Sequence, residues 1–379
     1  MIRITAYLIV ALTSAQLISQ PTAVKFKKHI IHQDFISEGV AVADVNNDGL
    51  PDILAGSYWF QAPDWKIHQI SEPAAYDYTK EWSDSFLNFT TDVNEDGWMD
   101  LIVFDFPGTS VSWFQNPGQT GSHWRSFLID STAKNESPMM VDIDHDTRAD
   151  LVFGTGNDQM TWFEPTGKSE INWKRTTISL EEAKGASTFS HGLGFDDLNG
   201  DGNKEIITTH GWWTSQKNPS TSPWTYQPAK LGAPCSQMYV YDFDDDGDQD
   251  VVSASAHDYG IWWHQQTEPG LFETFLIDSS FSQTHGMVME DLNGDGMPDL
   301  ITGKRFYAHN GKDPGGKEPA VLYWYELKQN DDHTPYWIPH QIDDNSGVGL
   351  QLVVQDMNGD NRKDIVISNK KGVFLFESY

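Results

Sequence analysis

The chain has 379 residues, 38% of them hydrophobic, and a formal net charge of −30. That is enough apolar material for a large core, and its negative field excludes nucleic acid and anionic membrane surfaces as partners. A single cysteine, Cys235, excludes disulfides within the chain.

Residues 1–15 carry Arg3, an apolar run from Ile4 to Leu12 and the small-residue end Thr13, Ser14, Ala15. This pattern reads as a secretory signal peptide, too short to span a bilayer, with cleavage after Ala15. The expectation is a product secreted to the periplasm or cell exterior, with no membrane insertion and with residues 16–379 forming one domain. The next element, Val24 to Ile31, is a strand.

From Asp44 onward one unit recurs seven times, in its clearest form as Asp291, Leu292, Asn293, Gly294, Asp295, Gly296, Met297, Pro298, Asp299. Oxygen side chains stand at positions 1, 3, 5 and 9, and Gly at position 6 permits a sharp turn, which is calcium-loop chemistry. An EF-hand would place Glu at position 12 between helices. Here Thr302 occupies position 12 and the β-type run Leu300, Ile301, Thr302 follows, so the loop joins two strands.

Read as ligands, the copies are Asp44, Asn46, Asp48 and Asp52; Asp92, Asn94, Asp96 and Asp100; Asp142, Asp144, Asp146 and Asp150; Asp197, Asn199, Asp201 and Glu205; Asp242, Asp244, Asp246 and Asp250; Asp291, Asn293, Asp295 and Asp299; and Asp356, Asn358, Asp360 and Asp364. Up to seven structural calcium ions are expected. These positions hold 23 of the 55 acidic residues, and seven bound calcium ions would bring the charge to roughly −16. Position 6 is Thr147 in the third copy and Asn361 in the seventh. Thr adopts a left-handed backbone poorly, so the third loop is expected to be the weakest.

Each repeat of about fifty residues reads as four short strands: one into the loop, one out of it, and two announced by aromatics. The third-strand aromatics include Trp113, Trp162, Trp262 and Trp324, and the fourth-strand set Trp124, Trp173, Trp224 and Trp337. All eight are assigned to packing between blades. After the seventh loop only two strands remain, Ile365 to Ser368 and Val373 to Glu377. The N-terminal strand then completes the last blade. The fold expected is all-β, a seven-bladed propeller of four-stranded antiparallel blades, closed by the N-terminal strand, with calcium loops between first and second strands.

The repeated Asp-x-Asn/Asp-x-Asp-Gly-x-x-Asp loop resembles the FG-GAP or VCBS-type repeat, known from the propeller of integrin α chains and from many secreted bacterial proteins. The resemblance covers nearly the whole chain after residue 15 and implies the propeller and its calcium, while leaving function open.

Six residues before each loop stand Glu38, Phe86, Glu136, His191, Ser236, His285 and Leu350. In a blade they lie at the mouth opposite the calcium loops, about 20 Å from the metal, so the calcium ions are structural. Second strands return to this mouth near Tyr58, His210, His257, Lys304 and Arg305, and His309 follows in a long insertion from Lys304 to Glu318. Five of the 13 histidines therefore gather there. Removing water next to a carbonyl needs a base, a cation for the enolate oxygen and an acid for the leaving hydroxyl. His191 or His285 suits the base, Lys304 or Arg305 the cation, and Glu38 or Glu136 the acid. Alternatively, three imidazoles among His191, His210, His257 and His285 bind zinc, or another divalent ion, with an open position.

A second resemblance rests on Ser190 to Gly194, His210 to Trp212, His257 to Gly260, Gln283 to His285 and Gly303 to Phe306. These runs look like the propeller portion of aldos-2-ulose dehydratase and its bacterial relatives, which remove water from keto-sugars. This implies a carbon–oxygen lyase acting on a small sugar or glycan, with a polysaccharide lyase as a near variant. The fungal enzyme also has cupin domains, for which this chain has no residues. A non-catalytic binding or adhesion module for a glycan or protein partner stays open as the alternative.

Overall fold

The computed structural model describes residues 24–379 except Ser122, Ser169, Gln216 and Lys217; the signal-peptide reading of residues 1–15 lies outside them. Seven four-stranded antiparallel sheets follow one another around an axis. Blade 1 comprises β2 (Ala41–Ala43), β3 (Asp52–Ala55), β4 (Tyr58–Gln61) and β5 (Lys66–Gln69). Blade 2 comprises β6 (Leu87–Thr91), β7 (Asp100–Phe104), β8 (Thr109–Gln115) and β9 (Arg125–Ala133), and blade 3 β10 (Met139–Val141), β11 (Asp150–Thr155), β12 (Gln159–Thr166) and β13 (Asn172–Thr177). Blade 4 is β14 (Gly194–Asp196), β15 (Glu205–Thr208), β16 (Gly211–Thr214) and β17 (Thr225–Pro228), and blade 5 is β18 (Tyr239–Tyr241), β19 (Asp250–Ala254), β20 (Tyr259–Glu268) and β21 (Leu271–Ser282). Blade 6 is β22 (Met287–Glu290), β23 (Asp299–Gly303), β24 (Leu322–Gln329) and β25 (Pro335–Asp343). Blade 7 contains β26 (Leu352–Gln355), β27 (Asp364–Asn369) and β28 (Gly372–Ser378), and its outer strand is β1 (Phe26–His32), which pairs with β28 so that Phe26 faces Ser378. No described helix is long and apolar enough to cross a membrane.

The second strands explain the layering. Each is an apolar run after position 9, and all seven are buried along their whole length because a neighbouring blade covers either face. Seven buried clusters result, one between each pair of adjacent blades. Between blades 2 and 3, for example, the Phe104 and Phe153 rings meet edge to face at 5.1 Å. Trp113, Trp124, Trp162, Trp224 and Trp324 are buried in this way, whereas Trp173, Trp262 and Trp337 are half-buried. Blade 5 corrects one assignment. Trp113 lies opposite Ile102 and Trp263 opposite Val252, each two residues after position 9. Trp263, not Trp262, is thus the equivalent packing residue, since one step along a strand turns a side chain to the other face.

The loops are built by their own carboxylates. In the first, Asp44 Oδ1 and Oδ2 accept the Asp48 and Gly49 N–H groups at 3.1 and 2.8 Å, and Asp48 Oδ1 accepts Leu50 N–H at 3.0 Å. The third loop makes the same bonds, with Thr147 N–H donating to Asp142 Oδ2 at 3.1 Å from a left-handed backbone, φ +76. Position 9 does something different: it is fully buried in every copy. One oxygen accepts the N–H of position 2, as Leu292 donates to Asp299 Oδ2 at 3.1 Å, and the other accepts an N–H at the third strand, as Leu327 donates to Asp299 Oδ1 at 3.0 Å. Asp52, Asp100, Asp250 and Asp364 repeat this two-sided bond. In blade 3 Pro165 stands at the corresponding third-strand position and has no N–H, and Asp150 Oδ1 is left without a partner. Burial pushes the carboxyls of Asp100, Asp150, Asp250 and Asp299 up to about 7.

Removing Asp299 strands two buried N–H groups, at about 1–3 kcal/mol each. Urea unfolding should therefore show Asp299→Ala losing more stability than Asp150→Ala, which strands one backbone N–H fewer. Equal losses would show that the third-strand bond carries nothing.

Candidate functional site

The segments leading into the first strands meet at one mouth of the ring, and several bond to one another. Glu38 N–H donates to Ser85 O and Glu136 N–H to Ser190 O, both at 2.9 Å, and Leu350 N–H donates to Glu38 O at 3.1 Å. This fixes the backbones from which Glu38, Glu136, His191 and His285 project. Just beyond them, Gln351 exchanges hydrogen bonds with Asn88 N and O (3.0 and 2.9 Å), and Gln237 bonds Met287 N and Leu350 O. These amides tie first strands of different blades together above a separate cavity of about 340 Å³, lined by Met139, Met140, Met238, Met287 and Met289 among others.

At the mouth itself lies a cavity of about 360 Å³. Trp82, Phe86, Phe106 and Phe189 form one wall, and His191, His257, His309 and Glu136 the other. The aromatic wall is continuous, with Phe86–Phe106 and Phe106–Phe189 ring centroids 5.2 and 5.5 Å apart. Opposite it, the His191 and His257 rings are 4.6 Å apart, and each is 5.4 Å from His285. One ring nitrogen from each of these three histidines lies within 4.8 Å of the other two. Both nitrogens of His191, Nδ1 of His257 and Nε2 of His285 have no hydrogen-bond partner among the described residues.

Electrostatics keep these rings neutral. Burial, then the Arg305 charge, push His191 down to about 4; burial and the neighbouring imidazoles do the same to His257. His285 is held well below its ordinary value by burial, then by Arg305. Beneath them Arg305, 1% exposed, bridges two carboxylates, with Nη2 2.9 Å from Glu38 Oε2 and Nη1 3.5 Å from Glu136 Oε2. Glu136 Oε2 is also 3.8 Å from His191 Nε2, and burial raises its carboxyl against the pull of Arg305.

Several sequence expectations need correction. His210 stands apart. Only two residues, Thr209 and His210, join β15 to β16, and this short turn leaves His210 exposed near Lys184. The four-residue turn between β19 and β20 carries His257 into the cluster instead. Lys304 is buried and turned away, donating to Ser282 Oγ at 3.0 Å and Gln283 Oε1 at 2.7 Å, so Arg305 is the cation at the centre. Burial holds the His191 and His285 imidazoles, the two candidate bases, below their ordinary value. Glu38, His285 and Arg305 lie outside the cavity lining, Glu38 and His285 at 0% and 2% exposure.

The sequence reading passed over other parts of the mouth. The rule that picked His257, a residue five to seven after position 9, also reaches Phe106 and Lys370. Lys370 Nζ lies 3.6 Å above the Trp82 ring, and burial lowers its amine to about 8. Trp82 and Phe189 sit in connections between blades that carry no repeat signal, and Asp313 sits in the blade 6 insertion. In the acidic loops, Asp142, Asp144 and Asp146 bring one oxygen each within 4.8 Å of the others, as do Asp242, Asp244 and Asp246. Burial and then Asp146 raise the Asp144 carboxyl, and burial and then Asp246 raise Asp244.

The FG-GAP-like repeat family matches residues 92–153 and 242–302, and the chain carries FG-GAP-like repeats on a seven-bladed propeller. Among solved structures, BBS1N in complex with ARL6DN is similar at 10% identity and TM-score 0.52, over 92% of this chain and 96% of that one. An Agrocybe aegerita lectin that recognises non-reducing terminal N-acetylglucosamine aligns at 16% identity and TM-score 0.48, over 89% and 93% of the two chains. Rhamnogalacturonan lyase YesW aligns at 11% and 0.47, over 91% of this chain and 71% of its own. No curated protein matches.

Breaking the central bridge leaves Arg305 charged, buried and short of a partner. Glu38→Ala should cost about 3–5 kcal/mol in urea unfolding, and Glu38→Gln, which keeps an acceptor, clearly less. A neutral Glu38→Ala would show that Glu136 alone suffices for Arg305.

Proposed function

We propose that this FG-GAP-repeat propeller is a secreted carbon–oxygen lyase acting on a keto-sugar at its aromatic-walled mouth. A zinc-type divalent cation there would be held by His191, His257 and His285. The observation that carries this reading is the convergence of three neutral imidazoles whose buried ring nitrogens lack partners. Each such nitrogen left unpaired costs about 1–3 kcal/mol, and three nitrogen donors with room beside them suit zinc. When bound, the cation would supply positive charge against a substrate carbonyl. The resemblance of the short mouth runs to keto-sugar dehydratases points the same way.

The chain's own residues then divide the work by position. Glu136, the carboxylate that lines the cavity, takes the proton from the carbon next to the carbonyl. Arg305, held by Glu38, favours the ionised form of that carboxylate against the burial that raises it, and holds it in place. His309 also lines the cavity, with Asp313 Oδ2 2.8 Å from its Nδ1; its Nε2 takes up a proton and passes it to the leaving hydroxyl. The C–H and C–O bonds break, water leaves and a carbon–carbon double bond forms. Trp82, Phe106 and Phe189 take the apolar face of the sugar ring and keep bulk water out.

Zinc-loaded protein should convert keto-sugars to unsaturated ketones, read by ultraviolet absorbance. Glu136→Gln should lower kcat about 10²–10⁴-fold with zinc still bound. Protein that binds no zinc and leaves every keto-sugar unchanged would sink the enzyme reading in favour of a glycan-binding module.

The loops are further proposed to hold calcium through positions 1, 3 and 5, with position 9 behind them. The fit is electrostatic: in two loops three carboxylates converge, the carboxyl of Asp144 in one and Asp244 in the other being raised, which favours a hard cation between them. Calcium at a hundred times its dissociation constant would add about 2.7 kcal/mol per site. Chelation should therefore lower the thermal midpoint by many degrees and added calcium should restore it; an unchanged midpoint would rule calcium out as a fold component.

A further inference from the structure

The insertion between β23 and β24 brings to the mouth an acceptor that the repeats do not contain. Asp313 Oδ2 lies 2.8 Å from His309 Nδ1 and 3.5 Å from His257 Nδ1, and it accepts Gln283 Nε2–H at 3.1 Å. Gln283 is fully buried and sits at φ +64, a left-handed backbone that is uncommon for a residue with a side chain. Such conformations persist where the surroundings over-determine them.

Here they do. Gln283 N–H donates to Asp258 O at 3.1 Å, and its carbonyl accepts Arg305 N–H at 2.9 Å and faces His285 Nδ1 at 3.3 Å. Its side-chain oxygen accepts Lys304 Nζ at 2.7 Å. Lys304 can only donate, so it fixes the direction of the amide: oxygen toward the ammonium, NH₂ toward Asp313. Two rings, His285 and His309, therefore aim Nδ1 at an acceptor that is Gln283 or is held by it, and His257 Nδ1, which makes no hydrogen bond among the described residues, lies 3.5 Å from the same Asp313 oxygen. An imidazole that donates from Nδ1 carries its lone pair on Nε2.

We infer that Gln283 and Asp313 are positioning residues that set the tautomer and orientation of His257, His285 and His309, turning Nε2 of His257 and His309 to the cavity and leaving Nε2 of His285 to the cluster with His191. The inference rests on the cation site proposed above and accounts for two features of the mouth. Lys304 is buried facing an amide because it orients that amide, and the insertion exists at the mouth because it supplies Asp313. Outer partners of this kind typically govern metal affinity by 10–100-fold.

The test reads protonation and affinity separately. In metal-free protein carrying ¹⁵N-histidine, long-range ¹H–¹⁵N correlation should find His257, His285 and His309 protonated at Nδ1. Asp313→Ala should release His257 and His309 to mixed tautomers, and zinc affinity, measured against a chromophoric chelator, should fall about 10–100-fold. Gln283→Asn, which tolerates the left-handed backbone but is too short to span Lys304 and Asp313, should lower affinity in the same range. Asp313→Asn, which keeps the shape and one acceptor oxygen, should lose less, and serves if the alanine variant does not fold. Wild-type tautomers in Asp313→Ala, with affinity within twofold, would overturn the proposal. So would Nε2-protonated rings in the wild type, even if zinc binds. Nδ1-protonated rings in a wild type that takes no zinc would uphold the positioning role and refute the cation site instead.

Discussion

The buried carboxylate at position 9 is the constraint on which the rest of the molecule depends. It sits where a loop, a second strand and a third strand meet, and its oxygens reach the backbone of the loop and, in most blades, of the third strand. A hydrogen-bonded carboxylate without exposure is costly unless backbone donors compensate it, and each blade supplies them from positions fixed by the repeat. The same group closes the acidic loop on one side and orders the apolar second strand on the other. Blade 3 shows the rule by its exception, since Pro165 withdraws a donor and leaves Asp150 Oδ1 unpaired.

Because every blade is pinned at one end, equivalent residues of every blade arrive together at the other. Glu38, Glu136, His191 and His285 occupy the same repeat position on four blades and come within reach of one another across the axis. Arg305 then joins blades 1, 3 and 6 through two carboxylates far apart in sequence. The packing clusters between blades hold the ring stiffly enough for side chains on separate blades to keep such distances.

Charge is divided between the two faces. The loop face carries convergent carboxylates, which favour a hard cation. The mouth carries carboxylates already answered by Arg305 and a set of imidazoles that burial and that same charge keep neutral, which favour a borderline cation bound through nitrogen. Arg305 therefore acts twice, compensating Glu38 and Glu136 and adding to the burial that lowers His191 and His285. The aromatic wall, with Lys370 packed on Trp82, lowers the local dielectric and strengthens both effects.

By itself the sequence determined the number of blades, the strand that precedes and follows each loop, and some of the side chains that reach the mouth. These follow from a periodic pattern of Asp, Gly and apolar residues whose local physics repeats seven times. It located Glu136, His191, His257 and His285 by counting residues from each loop, because strand geometry converts a count into a height along the axis. A count does not give direction. Only the tertiary structure turned Lys304 toward Gln283 and its neighbour Arg305 toward the centre, left His210 outside on a two-residue turn, and brought Trp82, Phe189 and Asp313 in from segments without a repeat. Such placements depend on turn length and on what neighbouring blades leave unfilled, and those quantities exist only once the ring has closed.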